Sequence, residues 1–309
     1  MEMKKRATAG SSGRLRTRGK QLALSYAMLT PFLIFFLLVY IMPILVSIVL
    51  GFTNFNMMQT PEFTGFTNYI RLFLDDDVFI TAFSNTMVFA FISGPISYVL
   101  CFMLAWLIND LNPRLRSLMT VCFYAPSVAG QGVYVVWRLI FSADSYGIIN
   151  GILMWLGLVD EPVLWLSDPS LSLGIVILVH VWLSLGTGFL AFIAGLQNID
   201  RSQYEAAAID GIRNRWMELW YITLPNMLPM LIFGAVTQIA RSFAVADVSM
   251  ELAGFPSIEY SAHTIDIHAY DYGFVRFEMG YACAITVVLF IIIVTVNQIV
   301  TRALRRVGS

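Results

Sequence analysis

Four polar residues, Ser127, Gln131, Tyr134 and Arg138, stand inside an otherwise apolar stretch at i, i+4, i+7 and i+11, a spacing that puts them on one face of a helix. A second apolar stretch carries Gly234, Thr237, Gln238 and Arg241 on one face. Amides, hydroxyls and a phenol in this pattern form no bond-breaking constellation. They can exchange hydrogen bonds with a hydroxyl-rich solute such as a sugar, and the residues between them offer flat apolar surface. Polar side chains inside an apolar span are costly and usually face a bundle interior or a water-filled path. Ser127, Gln131, Tyr134, Thr237, Gln238 and Arg241 are therefore the candidate pathway residues. Plainer readings stand beside this one: the two glutamines as links between helices, and Arg138 and Arg241 as side chains snorkelling to a membrane surface.

Other reactive side chains suggest less. His263, Asp266, His268 and Asp271 lie close together, but their spacing matches no metal pattern and reads as a solvated loop. His180, Ser184 and Thr187 share a face beside Gly188 and Gly195, which reads as close helix packing. Asp75–Asp77 reads as a helix cap or a solvated charge run. Cys101, Cys122 and Cys283 sit in apolar runs and read as free buried thiols. No phosphate loop, H-E-x-x-H, G-x-S-x-G or C-x-x-C element occurs. No catalytic residue and no metal ligand is predicted, and the chain is not expected to be an enzyme.

The elements that would position these residues are membrane spans. Of the 309 residues 58% are hydrophobic and only 13% charged, against about 25% charged in soluble domains. A bilayer-crossing helix needs about 20 mainly apolar residues, and six stretches qualify: 25–52, 81–108, 115–141, 171–196, 224–246 and 277–303. The first is too long for the apolar region of a signal peptide, about 7–15 residues, and reads as a retained span. Pro31 and Pro43 should kink it, and Pro126, Gly130 and Gly132 should make the third irregular. A short interfacial helix is expected near 147–156. The fold class is thus an all-α membrane protein, with a basic segment at 1–24, a six-span domain at 25–303 and a tail at 304–309.

Charge distribution predicts orientation. Fifteen of the nineteen Lys and Arg residues fall before the first span, after the last, or between spans two and three and four and five. The other three connections are acidic. Both termini are expected in the cytoplasm. The loop at 197–223 is then cytoplasmic too. Asp200 with Gln203 reads as an N-cap with its capping-box partner, and Gly211 as a left-handed helix end. Trp216, Leu219, Trp220 and Thr223 should form one face of a second helix, which could lie on lipid headgroups. The small-sided run Glu205-Ala206-Ala207-Ala208 carries no lipid anchor and suits entry into a groove of another protein.

Glu205-Ala206-Ala207, Gly211 and Ile222-Thr223-Leu224-Pro225 together resemble the EAA loop of ATP-binding-cassette importer permeases. The wider segment AFIAGLQNIDRSQYEAAAIDG and the run EMGYACAI are similar to the carbohydrate branch of that family, the maltose and glycerol-phosphate type. The chain departs from the pattern at Asp200, where proline is frequent, and by one additional residue between Gly211 and Ile222, expected to be absorbed in the turn at 212–214. The resemblance implies the six-span type I importer fold and a permease for a sugar, an oligosaccharide in the first place. It implies coupling to an ATPase through Glu205, Ala206, Ala207, Asp210, Gly211, Leu224 and Pro225. The implied partners are a second permease, an ATPase dimer, an external solute-binding protein and membrane lipid, with no nucleic acid. ATP and Mg would bind the ATPase, so no cofactor is expected in this chain. The implied location is a prokaryotic cell membrane. Glycerol-phosphate or polyamine import and a secondary transporter are the alternatives.

Overall fold

The computed structural model describes residues 24–307. Nearly all of the basic segment read at 1–24, and the last two residues of the tail read at 304–309, lie outside the described residues. No strand occurs among the described residues, only one isolated bridge between Thr53 and Phe63.

The first helix, α1 (Leu24–Leu50), is apolar throughout and none of its most apolar stretch is buried within the chain. The kinks expected at Pro31 and Pro43 do not break it, and what the structure shows near Pro43 is a π turn with a local cause. Pro43 has no N–H to give to the preceding turn, and Leu37–Ile41 widens into a π turn in which the Met42 N–H reaches the Leu37 carbonyl. After the short α2 (Thr67–Leu74), Asp76 caps α3 (Asp77–Asn109), its carboxylate accepting from the Phe79 N–H. At 33 residues α3 is about 50 Å long, more than enough to cross a hydrocarbon core of about 30 Å.

The third expected span is broken rather than merely irregular. Helix α4 (Pro113–Tyr124) continues through a 3-10 turn at Ala125–Val128, and α5 (Gly132–Ile140) departs from it at 94°. Gly130, at φ +66°, supplies the left-handed residue of this corner. A short helix, α6 (Ile148–Trp155), forms where one was expected near 147–156. The fully buried Asn150 anchors the loops around it, donating to the carbonyls of Ser142, Asp144 and Val163 and accepting from Trp165 Nε1. The fourth expected span corresponds to α7 (Pro169–Leu183) followed by α8 (Thr187–Gln197), with a break at Gly186.

The loop helix α9 (Arg201–Ile209) leads to α10 (Arg215–Asn226), which turns through 80° into α11 (Leu228–Phe243). Two short helices, α12 (Ala246–Ala253) and α13 (Ile265–Tyr270), precede α14 (Met279–Val307). Four helices are long and apolar enough to cross a membrane, and the six-span layout is reached when each bent pair counts as one span. One buried cluster joins α3, α8 and α10 through Phe102, Phe189, Phe192 and Leu219. A second joins α3, α13 and α14 through Phe79, Ile265, Tyr281 and Ile285. The remaining apolar surface is exposed along α1 and the outer faces, which water does not tolerate in such extent and lipid does.

Two expectations about local packing are corrected. Cys101 is buried, but Cys122 is exposed and Cys283 half-buried, because the spans present part of their apolar surface outward. His263, Asp266 and His268 do not form a solvated loop: His263 and His268 are 2% and 1% exposed, held under α3. Asn85 of α3 donates to the carbonyls of Tyr260 and His263, and Thr86 accepts from the Ile265 N–H. Asp266 turns inward to cap α12, accepting from the N–H groups of Val245 and Ala246 at 2.8 and 2.6 Å. Among the described residues no cluster suited to a metal ion is found.

Candidate functional site

The breaks in spans three and four meet α11 around a cavity of about 500 Å³. Its walls include Ser127, Gln131 and Tyr134 from the broken third span, Ser184 and His180 from α7 and its end, Arg241 from α11 and Asp247 from α12. Four of the six expected pathway residues are therefore brought together, although the reason expected from the sequence does not hold. With a 94° corner between Val128 and Gly132 the four polar residues of span three cannot share one helical face. The corner itself turns Ser127 and Gln131 toward the opening. Arg138 leaves the group and pairs with Glu251 at 3.2 Å, tying α5 to α12.

The chemistry of the lining is hydrogen bonding. Ser127 and Ser184 donate their hydroxyls to the Tyr124 and Val181 carbonyls, at 2.8 and 2.7 Å, and keep oxygen lone pairs. The Gln131 amide, the Tyr134 hydroxyl and the Arg241 guanidinium have no hydrogen-bond partner among the described residues. His180 is the residue that the sequence reading missed. It was assigned to helix packing, and Phe89 does pack against its ring at 4.9 Å, yet its Nε2 is buried without a partner and the residue lines the cavity.

Thr237 and Gln238 do not join this group. The Thr237 hydroxyl donates within α11, 3.0 Å from the Phe233 and Gly234 carbonyls. Gln238, one turn before Arg241 but rotated away, is 3% exposed and borders a separate, mainly apolar cavity of about 260 Å³ beside Gly94 and Ser242.

The second candidate region is the loop. Asp200 caps α9 by accepting from the Ser202 N–H, while Gln203 accepts from Asn226 at 2.7 Å instead of closing a capping box. Gly211 ends α9 at φ +95°, with Ile212 N–H on the Ala207 carbonyl and Gly211 N–H on the Ala208 carbonyl. These are the two bonds of a Schellman motif. Asp210 precedes the glycine as the C-cap residue and is exposed. Glu205, Ala206, Ala208 and Ile209 are exposed, whereas Ala207 is buried against the chain's own body. Its smallness is thus an internal packing requirement, and the outward small residues are Ala206 and Ala208.

The second loop helix is not a single amphipathic face. Leu219 and Thr223 are buried, Trp216 and Trp220 exposed, because Leu219–Thr223 forms a π turn. A π turn accommodates one more residue than an α turn, so this segment offers room for an additional residue besides the turn at 212–214. Leu224 and Pro225 follow it in the same order as Met42 and Pro43 follow the π turn of α1. Tyr204 Oη lies 2.9 Å from Thr223 Oγ1, so α9 and α10 are bound together. Arg215 pairs with Asp110 and lies over the Trp106 ring, which also contacts Trp216, so α10 is bound to the end of α3. A cleft of about 650 Å³, bordered by Asp110, Arg116, Arg201, Glu205 and Arg215, separates the loop helices from the start of α4.

Over 276 residues, 87% of this chain and 86% of the relative, the sequence is 32% identical to a probable ABC transporter permease protein, YesP, of Bacillus subtilis. It is 32% identical over 256 residues to the lactose transport system permease protein LacF of Rhizobium radiobacter, covering 81% of this chain and 83% of LacF. It is 29% identical over 278 residues to the arabinooligosaccharides transport system permease protein AraP of Bacillus subtilis, 90% of this chain and 87% of AraP. The fold is similar to a chain in the crystal structure of a bacterial ABC transporter involved in the import of the acidic polysaccharide alginate. That match has a TM-score of 0.78 and 24% identity, and covers 96% of this chain and all of the other. No protein-family profile matches the sequence.

Proposed function

The chain belongs to the permeases of ATP-binding-cassette transporters, and from that premise we propose that it forms one half of the membrane pathway of a bacterial sugar importer. The observation that carries the proposal is the loop at 198–226, whose first helix ends at Gly211 with Ala206, Ala208 and an 88% exposed Ile209 turned outward. A small-sided apolar ridge of this kind fits a cleft in a separate ATPase dimer, where ATP and Mg would bind. The loop and the cavity are mechanically continuous. The bonds from Tyr204 and Asn226 join α9 to α10, and α10 runs through its bend at Met227 into α11, whose far end carries Arg241. Closure of the ATPase dimer would push the loop and, through α11, change the cavity between the broken spans.

Sugar as the cargo is supported by the hydrogen-bonding lining and by the names of relatives that carry lactose and arabinooligosaccharides. A second permease would complete the wall, and α1, exposed along its length, leaves surface for it or for lipid. A solute-binding protein would deliver sugar on the side opposite the loop. The basic connections support placing that loop and both termini in the cytoplasm.

Co-expression with the ATPase and second permease tests this reading. The ATPase should co-purify with the chain, and sugar uptake should require ATP. Uptake that proceeds without the ATPase would sink it.

A further inference from the structure

The cavity between the broken spans is lined by a cation, Arg241, that no side chain of the chain pairs directly. Arg241 makes no ion pair and no hydrogen bond among the described residues. Its position is nonetheless built. A Cβ placed on Gly186 would lie 2.8 and 3.1 Å from its two terminal nitrogens and 3.0 Å from Ser127 Cβ, so the guanidinium lies against the glycine backbone and a side chain there would displace it. The break in span four and the 3-10 turn of span three thus border the fork at the cavity wall. Arg241 is half-buried at the cavity wall, and a cation within spans that lacks a direct partner points to a ligand that supplies the counter-charge. The planar fork of arginine matches a carboxylate with two parallel hydrogen bonds.

We infer that Arg241 recognises a carboxylate and that the transported solute is a saccharide carrying a single negative charge, of the uronic-acid type. This rests on the sugar-import reading above. The rest of the lining selects among alternatives. Asp247 also faces the cavity and is not within ion-pairing distance of Arg241. One cation and one anion suit a monoanion whose carboxylate meets Arg241 while its hydroxyls donate to Asp247. A phosphate dianion would carry one charge more than Arg241 balances and be repelled more strongly than a monoanion by Asp247, and a polyamine would carry more cations than Asp247 balances, beside Arg241. A neutral sugar would leave the guanidinium without its partner. The Gln131 amide and Tyr134 hydroxyl are free to bond ring hydroxyls, and the Tyr134 ring gives a flat surface for a sugar face.

The test is equilibrium binding to the assembled transporter, purified in lipid nanodiscs without its solute-binding protein. The probes are a glucuronate-terminated trisaccharide, the neutral trisaccharide of the same linkage and a phosphate monoester of the neutral one. Wild type should bind the acidic probe about tenfold or more tighter than the neutral one, the scale of a charge-assisted hydrogen bond. Arg241→Gln should erase that preference, bringing the acidic and neutral probes to the same affinity, and Arg241→Lys should restore part of it. Gly186→Ala keeps the charge but displaces the fork, and should reduce the preference, which keeps the inference testable if Arg241→Gln fails to assemble. Equal binding of acidic and neutral probes by wild type, a preference surviving in Arg241→Gln, or tightest binding of the phosphate would each overturn it. Binding of none of the three would overturn the sugar reading beneath it, a result distinct from binding of the neutral probe alone.

Discussion

His268 Nε2 lies 3.1 Å from Asp76 Oδ2, joining residues 192 apart in the chain inside the packed region under α3. The carboxylate can only accept, so His268 carries its proton on Nε2. Its Nδ1 then accepts from His263 Nε2, 3.2 Å away, and the buried Nδ1 of His263 is left without a partner. Asp76 also receives Tyr281 Oη at 2.7 Å and the Phe79 N–H at 3.0 Å. A buried, directional chain thus pins α13 to the start of α3 and to α14. Burial alone would raise the Asp76 carboxyl, but the bonds from Tyr281, Phe79 and His268 outweigh it and hold the group below its usual range.

Acid should loosen this region. Burial pushes His263 down to about 4 from an ordinary 6.5, and it also lowers His268 against the pull of Asp76. Between pH 6.5 and 4 the unfolded chain takes up protons that the folded His263 refuses, so stability is lost as pH falls through that window. For His263 the full effect is on the order of 3 kcal/mol. Asp76, with its folded pKa depressed, loses its own contribution in the same direction as pH falls. Asp266 opposes the trend, because burial outweighs its hydrogen bonds and raises its carboxyl. Comparing His263→Gln with wild type isolates the histidine. The melting temperature of the variant should fall less between pH 6.5 and 4.5 than that of wild type, read by scanning fluorimetry. Parallel pH profiles would contradict the assignment.

Gly211 should be sensitive for its backbone alone. It sits at φ +95° with no atom within 4 Å of an added Cβ, so nothing but conformation resists a side chain there. A β-branched residue is strongly disfavoured in this region, whereas asparagine tolerates it better. Gly211→Val should cost about 1–2 kcal/mol locally, misdirect α10 and lower ATPase-dependent uptake. Gly211→Asn should retain most of it. Similar uptake by the two variants would show that the helix end does not set the direction of α10.

The contact of Arg215 with Asp110 and Trp106 should act as a tether rather than a large source of stability. The pair is about half exposed, with side chains 47% and 58% accessible. Exposed ion pairs and cation–π contacts each contribute up to about 1 kcal/mol. Arg215→Ala should leave the melting temperature nearly unchanged but speed amide exchange across residues 212–220. Unchanged exchange would mean that the buried Leu219 alone holds α10.

Cysteine labelling checks orientation. In a cysteine-free background, Ser202→Cys and Gln59→Cys, both at exposed positions, should react with an impermeant thiol reagent from opposite sides of the membrane. Reaction of position 202 from outside intact cells would reverse the topology.

What was legible in the sequence follows from which signals are local. Helix caps at Asp76 and Asp200, the left-handed Gly211 and the short helix at Ile148–Trp155 depend on neighbouring residues and could be read directly. Helical periodicity failed where the helix itself fails. It assumed a continuous span three, whereas the corner at Gly130 brings Ser127, Gln131 and Tyr134 together and sends Arg138 to Glu251. The burial of His263 and His268 depends on Asp76 and Asn85, far away in the chain, and no local pattern announces it. His180 was hidden for the same reason, since its position beside Arg241 is created by packing of separate spans.

Ala206 and Ala207 make the sharpest test of the loop, because adjacent residues of the same type should fail in different ways. Ala207 is 8% exposed and faces the body of the chain, so Ala207→Trp must overpack an internal contact. Such overpacking typically costs about 1–3 kcal/mol, and the isolated permease should show it as faster amide exchange across residues 201–223. Ala206 is exposed, with Glu205 and Ile209 open beside it, so Ala206→Trp adds bulk only on the outward surface. The permease alone should be unaffected, with melting temperature and exchange as in wild type. If this surface enters a close-fitting cleft of the ATPase, the added ring has no room there. Co-purification of the ATPase and ATP-driven uptake should both drop severalfold or more. A role on lipid headgroups predicts the reverse for Ala206→Trp, since tryptophan favours that interface. Full retention of the ATPase by Ala206→Trp, with uptake intact, would mean that the outward face of α9 is not the docking surface.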